Sequence, residues 1–159
     1  MVRLGVLGYG MMAQAHLIGL QSVNRARVVA IAGPNMSRAR AVAETHSVPT
    51  VYADEHELVA DPDVDAVVIA SPDDKHYPQT MTAIEAGKHV FVEKPFTLTE
   101  ESGRAAAKVC TDADRILAVG QNRRFAAATQ EVKRMLEAGE FGTPLHCEAN
   151  FSNPRPLGY

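Results

Sequence analysis

Residues 2–13 read Val-Arg-Leu-Gly-Val-Leu-Gly-Tyr-Gly-Met-Met-Ala. An apolar run from Arg3 to Leu7, short enough to be one strand, ends on Gly8; Gly8-Tyr9-Gly10-Met11-Met12-Ala13 then has the spacing G-x-G-x-x-A, and helical periodicity begins at Met12. A strand that turns on glycine into a helix is how a dinucleotide-binding βαβ unit opens, and each small residue has its own task there. Gly8 allows the tight turn, Gly10 lets the backbone approach a pyrophosphate, and Ala13 lets the helix pack close to the strand. The diphosphate is expected at the helix amino terminus, against the backbone of Gly10, Met11 and Met12.

Outward from this turn, the chain alternates between two kinds of segment. Short β-branched runs at Arg27–Ala32, Ala66–Ala70, His89–Val92 and Ile116–Val119 have the length and apolarity of strands buried on both faces. Helical spacing marks Met12–Val23, Ser37–Thr45, Gln79–Ala86 and Glu100–Cys110, with Asn35 and Thr99 as caps just before two of them. Repeated strand, helix, strand implies right-handed crossovers and an α/β, doubly wound parallel sheet. The pattern changes after Gly120. A helix is expected over Ala127–Ala138, closed by Gly139, followed by a half-buried strand in which Leu145, Cys147, Ala149 and Phe151 alternate with polar residues. We therefore assign residues 1–122 to a cofactor domain and 123–159 to a connecting helix and the first strand of a second, α+β domain that is begun and not finished. By themselves, residues 1–159 are expected to be catalytically inactive.

The 159 residues are 46% hydrophobic and 22% charged, which excludes intrinsic disorder. No apolar run approaches the roughly 20 residues that cross a bilayer. Cys110 and Cys147 show neither a disulfide framework nor zinc spacing, so no metal is expected, and a cytoplasmic setting fits. The net charge of −3 hides an asymmetry: the first 43 residues carry five arginines and no acid. Something anionic is expected near that third of the chain. Its arginines are scattered and lack interleaved aromatics, so a phosphorylated small molecule fits better than nucleic acid.

NAD-selective proteins place an Asp or Glu about 20 residues after the glycine turn, where it hydrogen-bonds the ribose 2′-hydroxyl. This chain has Gly33 there. With no carboxylate to repel a 2′-phosphate, and with Asn35, Ser37 and Arg38 clustered at a helix start that favours an anion, NADP is expected over NAD, NAD remaining possible. The plain alternative is that Arg38 and Arg40 only decorate a solvated helix face.

At Glu93-Lys94-Pro95, following Gly87-Lys88-His89-Val90-Phe91-Val92, the chain resembles the Gfo/Idh/MocA family, named for glucose-fructose oxidoreductase and inositol dehydrogenase. The resemblance also takes in the glycine turn, Ser71-Pro72 with His76, and Gly120 followed by Arg124-Phe125, spanning residues 2 to 151. It implies a Rossmann half followed by an open, mostly antiparallel sheet, and an NAD(P)-dependent oxidoreductase acting on hydroxyl or carbonyl groups of sugars, inositols or related polyols. It makes Lys94 the catalytic lysine. Partly desolvated beside an oxidised nicotinamide, such a lysine would accept or relay the hydroxyl proton. Glu93 resembles the family residue near the nicotinamide ribose, or serves to orient Lys94, and the Lys94–Pro95 bond is expected to be cis. Ser71, Pro72 and His76 lie past a strand end where crevice ligands bind, although His76 suits a plain helix-start role equally well. Asn122 and Arg124 are implied near the nicotinamide or the domain junction, with an ion-pair role equally open for Arg124. His16 is expected to be packed and Cys110 to belong to the core. The family's partner Asp and His come from the second domain, and His146 is no substitute for them by position. Two rivals stay open: a noncatalytic dinucleotide-binding module, and a subunit completed by another chain. A homo-oligomer is expected of the complete protein.

Overall fold

The computed structural model describes residues 1–150. It divides after Gln121 into two compact units. The first is built from six strands and five helices in strict alternation. They are β1 (Val2–Leu7), α1 (Met11–Leu20), β2 (Ala26–Ala32), α2 (Met36–Thr45), β3 (Thr50–Tyr52), α3 (Glu55–Ala60), β4 (Ala66–Ile69), α4 (Asp73–Glu85), β5 (His89–Val92), α5 (Glu100–Asp112) and β6 (Leu117–Val119). The strands form one sheet in the order β3-β2-β1-β4-β5-β6, and every neighbouring pair is parallel. This is the Rossmann order.

Both faces of the sheet are covered, as the continuous apolar strands require. On one face Leu4, Val6, Ile31 and Val68 pack with Ala13 and Leu17 of α1 and Ala43 of α2. On the other, Leu7, Ala30, Val67, Ile69 and Val92 pack with Leu58 of α3, Ala83 and Ile84 of α4, and Cys110 of α5. Burial pushes the Cys110 thiol up, and its Sγ donates to the Arg115 carbonyl at 3.0 Å, so it is a core residue. Gly5 makes room in the second layer, because a Cβ there would stand 2.5 Å from Leu58 Cδ2.

Two elements escape the sequence reading, β3 and α3. Three residues of strand and six of helix are too short to display a period. The helix expected from Gln79 begins six residues earlier, at Asp73, with Pro78 inside it. Asp73 and Asp74 in its first turn suit the positive end of the helix dipole, and this extension carries His76 into the interior. The Asn35 and Thr99 caps are both made, accepting from Arg38 N and Ser102 N.

Arg3 ties the start of β1 to the turn before β4. Its Nη2 donates to Asp65 Oδ1 at 2.7 Å and its Nε to Asp65 Oδ2 at 3.1 Å, with Asp63 as a second ionic partner. One of the five early arginines is therefore structural. The Arg3 side chain and backbone N–H, both donating to Asp65, hold its carboxyl well below the usual carboxylate range. A carboxyl depressed on folding adds stability above its unfolded pKa near ~4 and loses it as pH falls further. Asp65→Asn is accordingly expected to lower the urea midpoint at pH 7, with variant and parent converging as the pH is brought down toward ~2. Equal deficits at both pH values would show that packing, and not the ion pair, is what the substitution removes.

The second unit opens with a 3₁₀ turn, Asn122–Phe125, and continues in α6 (Ala127–Glu137). Of the strand expected over 145–151, residues 145–150 have no regular structure and are exposed, and Phe151 lies outside the described residues. Alternation alone does not make a strand, which needs a neighbour for its backbone donors and acceptors, and no strand of this unit among the described residues supplies one. Among the described residues, no helix is long and apolar enough to cross a membrane.

Candidate cofactor and active site

The register of the sheet builds one edge. Leu7 pairs with Ala32 on one side and Ile69 on the other, Ile69 with Val92, and Val92 with Val119, so these five stand in a row at the carboxyl ends of their strands. The chain leaves the sheet just beyond that row. Gly8 N donates to Ala32 O, Ala70 N to Leu7 O, Glu93 N to Ile69 O and Gly120 N to Val92 O, all within 3.0 Å. Each exit is therefore pinned by its neighbour. Because the chain winds from β1 toward β2 and β3, then returns to lay β4, β5 and β6 on the other side, the crevice between the β1 and β4 exits is the switch point where such sheets bind ligands.

The glycines of the first exit are there for different reasons. Gly8 has φ +108°, and a Cβ on it would lie 2.6 Å from the Ala70 carbonyl oxygen, so the fold itself demands glycine. Gly10 is different. It caps α1 with extended backbone (φ −73°), and a Cβ there would meet nothing within 4 Å. Among the described residues, neither conformation nor packing explains it. No side chain caps the helix and its first turn carries no acid, so the backbone N–H groups of Met11 and Met12 are left able to hold an anion. The residues fit a dinucleotide diphosphate on that observation. Ala13 is fully buried against the sheet.

At the β2 exit, on the other side of β1, Gly33 is buried and Tyr9 lies against it: a Cβ on Gly33 would stand 2.3 Å from Tyr9 Cε1. The Tyr9 hydroxyl accepts from Asn35 N at 3.2 Å, and the Arg38 guanidinium carbon sits 5.2 Å from the ring centroid. Asn35 Oδ1 in turn accepts from Arg38 N at 3.0 Å. Ser37 is exposed beside them. Sequence reasoning singled out Gly33, Asn35, Ser37 and Arg38 but passed over Tyr9, the side chain that joins three of them. Only its place inside the glycine motif marked it.

The β5 exit carries Glu93 and Lys94. Glu93 is a buried carboxylate, its side chain 7% exposed, and it accepts from His16 Nε2 at 2.8 Å and from Lys94 N at 3.2 Å. Gly120 lies against it, since a Cβ there would be 3.1 Å from Glu93 Oε1. His16, half-buried on α1, packs edge-on to Phe91 with ring centroids 5.2 Å apart. The helix that begins at the glycine turn thus also holds the carboxylate beside Lys94. The Lys94 side chain itself is exposed, so the partial desolvation expected of it is not supplied by the first unit's own fold. The Lys94–Pro95 bond is cis.

His76, 1% exposed, bridges two exits: its Nδ1 lies 2.6 Å from Pro95 O and its Nε2 3.0 Å from Ser71 O. Both partners are carbonyl acceptors, so a neutral ring, with one N–H, satisfies one of them and a doubly protonated ring both. Ser71 Oγ donates to Gln79 Oε1 at 2.6 Å, while Pro72 is exposed at the start of α4. Gly8, Gly10, Met11, Met12, Gly33, Ser71, His76, Glu93 and Lys94 are brought to one edge of the first unit. Asn122 belongs to the second unit. Among the described residues, no group of three His, Cys, Asp or Glu side chains could hold a metal ion.

The family model described as an oxidoreductase family with an NAD-binding Rossmann fold, GFO_IDH_MocA, matches residues 2–121. The chain is 38% identical over 146 residues to scyllo-inositol 2-dehydrogenase (NAD(+)) of Bacillus subtilis, covering 91% of this chain and 43% of that protein. A probable dehydrogenase from Thermotoga maritima superposes with a TM-score of 0.84 at 35% identity, over 89% of this chain and 42% of the other. A scyllo-inositol dehydrogenase from Lactobacillus casei, solved with bound NAD(H) and scyllo-inositol, gives a TM-score of 0.83 at 27% identity, over 89% and 42% of the two chains. The chain spans about half the length of the curated relatives it matches.

Proposed function

The chain belongs to the Gfo/Idh/MocA oxidoreductase family, and from that premise we propose that it carries the cofactor domain and catalytic lysine of an enzyme that interconverts a hydroxyl and a carbonyl on an inositol, sugar or related polyol. The observation that carries this reading is the shared sheet edge. The open helix start at Gly10 and the Glu93-Lys94 exit stand on the same side of one parallel sheet, joined by α1 through His16 and Glu93. When bound, the nicotinamide takes up or returns the hydride. Residues of this chain bind the dinucleotide and handle one proton. Gly10, Met11 and Met12 offer backbone donors to the diphosphate, and Glu93 anchors the start of the Lys94 loop through the Lys94 N–H. Lys94 Nζ takes or relays the proton that leaves the hydroxyl oxygen as the carbonyl forms. The substrate class rests on the names of relatives such as the B. subtilis scyllo-inositol dehydrogenase. Reduction of NAD(P)+ followed at 340 nm across a panel of inositols and sugars tests the reading for the active protein. Binding of neither dinucleotide to the chain would sink it.

The finer cofactor preference is for NADP. The relative named above uses NAD(+), so any departure must come from this chain's own residues, and Gly33 with Arg38 supports one. Calorimetric titration is expected to show NADPH bound about tenfold or more tighter than NADH, the worth of one hydrogen bond to a charged group. Equal or reversed affinities would overturn the preference.

A further inference from the structure

We propose that Tyr9 sets the choice between the two nicotinamide dinucleotides: its ring occupies the place where an acidic side chain at position 33 would begin, and holds Arg38 ready for a 2′-phosphate. This rests on the reading of the chain as a dinucleotide-binding domain and deepens its cofactor preference. Three observations support it. Gly33 is buried, and a Cβ on it would stand 2.3 and 2.7 Å from Tyr9 Cε1 and Cδ1, the nearest atoms to that point. The ring is fixed on one side by the Tyr9 hydroxyl accepting from Asn35 N, and Tyr9 is partly buried against the core layer on the α1 face of the sheet, so it does not swing aside without loss. Arg38 lies over the same ring at 5.2 Å, with its backbone N–H held by the Asn35 side chain.

The consequence is a coupling between positions 9 and 33. A carboxylate placed at 33 competes with the tyrosine ring before it meets any ribose, so in the native background it gains little with NADH. With the ring removed, the carboxylate has its space and reads the 2′-hydroxyl, while Arg38 loses its platform.

A double-mutant cycle over Tyr9→Ala and Gly33→Asp, with Kd for NADH and NADPH measured by calorimetry on each protein, tests this. Tyr9→Ala is expected to weaken NADPH by about two- to fivefold, what an exposed cation–π contact is worth, with NADH little changed. Gly33→Asp is expected to tighten NADH at least about threefold more in the Tyr9→Ala background than alone, as residues in contact couple. Tyr9→Phe keeps the ring and is expected to behave like the parent in both respects. Additive effects, an unchanged NADPH affinity in Tyr9→Ala, or a Tyr9→Phe that behaves like Tyr9→Ala would each overturn the proposal. Should Gly33→Asp fail to fold, Gly33→Ala poses the same steric question by thermal melting: its loss of stability is expected to be relieved by Tyr9→Ala, and the absence of relief counts against the proposal. A parent protein that binds NADH more tightly removes the NADP preference, while the coupling is still judged by the cycle.

Discussion

Lys94→Ala in the active protein is expected to lower kcat by about 10²- to 10⁴-fold, the usual contribution of a positioned general acid or base, while Kd for the dinucleotide stays within about twofold. The separation of the two effects follows from the geometry. Lys94 is exposed past the end of β5, and its loop is held from the backbone, by Glu93 accepting from Lys94 N and by His76 at the Pro95 carbonyl. Truncating the side chain takes away an amine and leaves the glycine turn and the sheet edge as they were. Lys94→Arg is the sharper control. It keeps the positive charge but does not give up a proton, so it is expected to be nearly as slow as the alanine variant. A loss of turnover under roughly threefold in Lys94→Ala would mean the residue is not the proton-transfer group.

Gly10→Val and Gly8→Val are expected to fail in opposite ways. At Gly10 the new side chain meets no protein atom within 4 Å of its Cβ and the backbone is ordinary, so the fold stays within about 1 kcal/mol of the parent. The branched side chain then fills the space before α1. Dinucleotide affinity is expected to fall by at least about tenfold, since hydrogen bonds to a charged group are worth ~1.5–3 kcal/mol each. At Gly8 the substitution forces a branched residue to φ +108° and drives its Cβ into the Ala70 carbonyl, and a loss of more than about 2 kcal/mol in unfolding free energy is expected. Thermal melts beside cofactor titrations separate the two. A Gly10→Val protein that keeps its affinity would remove the diphosphate from the α1 start.

Much of the site was legible because its chemistry is written in consecutive residues. The turn from Gly8 to Ala13 is local and carries its own geometric demand, and Glu93-Lys94-Pro95 is a local motif that the family resemblance picked out. What escaped were contacts between segments far apart in the chain. His16 reads as one more residue on a helix face until α1 crosses the β5 exit and brings its Nε2 to Glu93, 77 positions away. His76 lies behind a proline that interrupts the helical pattern, so the reading began the helix three residues too late to include it, although its burial between Ser71 O and Pro95 O ties two loops together. The alternation over 145–150 shows the same physics in reverse, since its period signals a strand to which the described residues give no neighbour.

The sequence by itself determined the parallel α/β architecture, through apolar runs too continuous for a one-sided sheet, and the place of the glycine turn, through its strand-to-helix spacing, while the Glu93-Lys94-Pro95 exit was marked by the family resemblance. The tertiary structure decided what those positions mean to one another. Gly33 read as the absence of an acid, and the fold shows it as the seat of Tyr9. Arg3 counted toward an anion-binding charge excess, and the fold shows it neutralised by Asp63 and Asp65. Both outcomes come from the register of parallel strands: each crossover returns the chain to the same edge, so residues tens of positions apart meet there, and no local periodicity records which of them will touch.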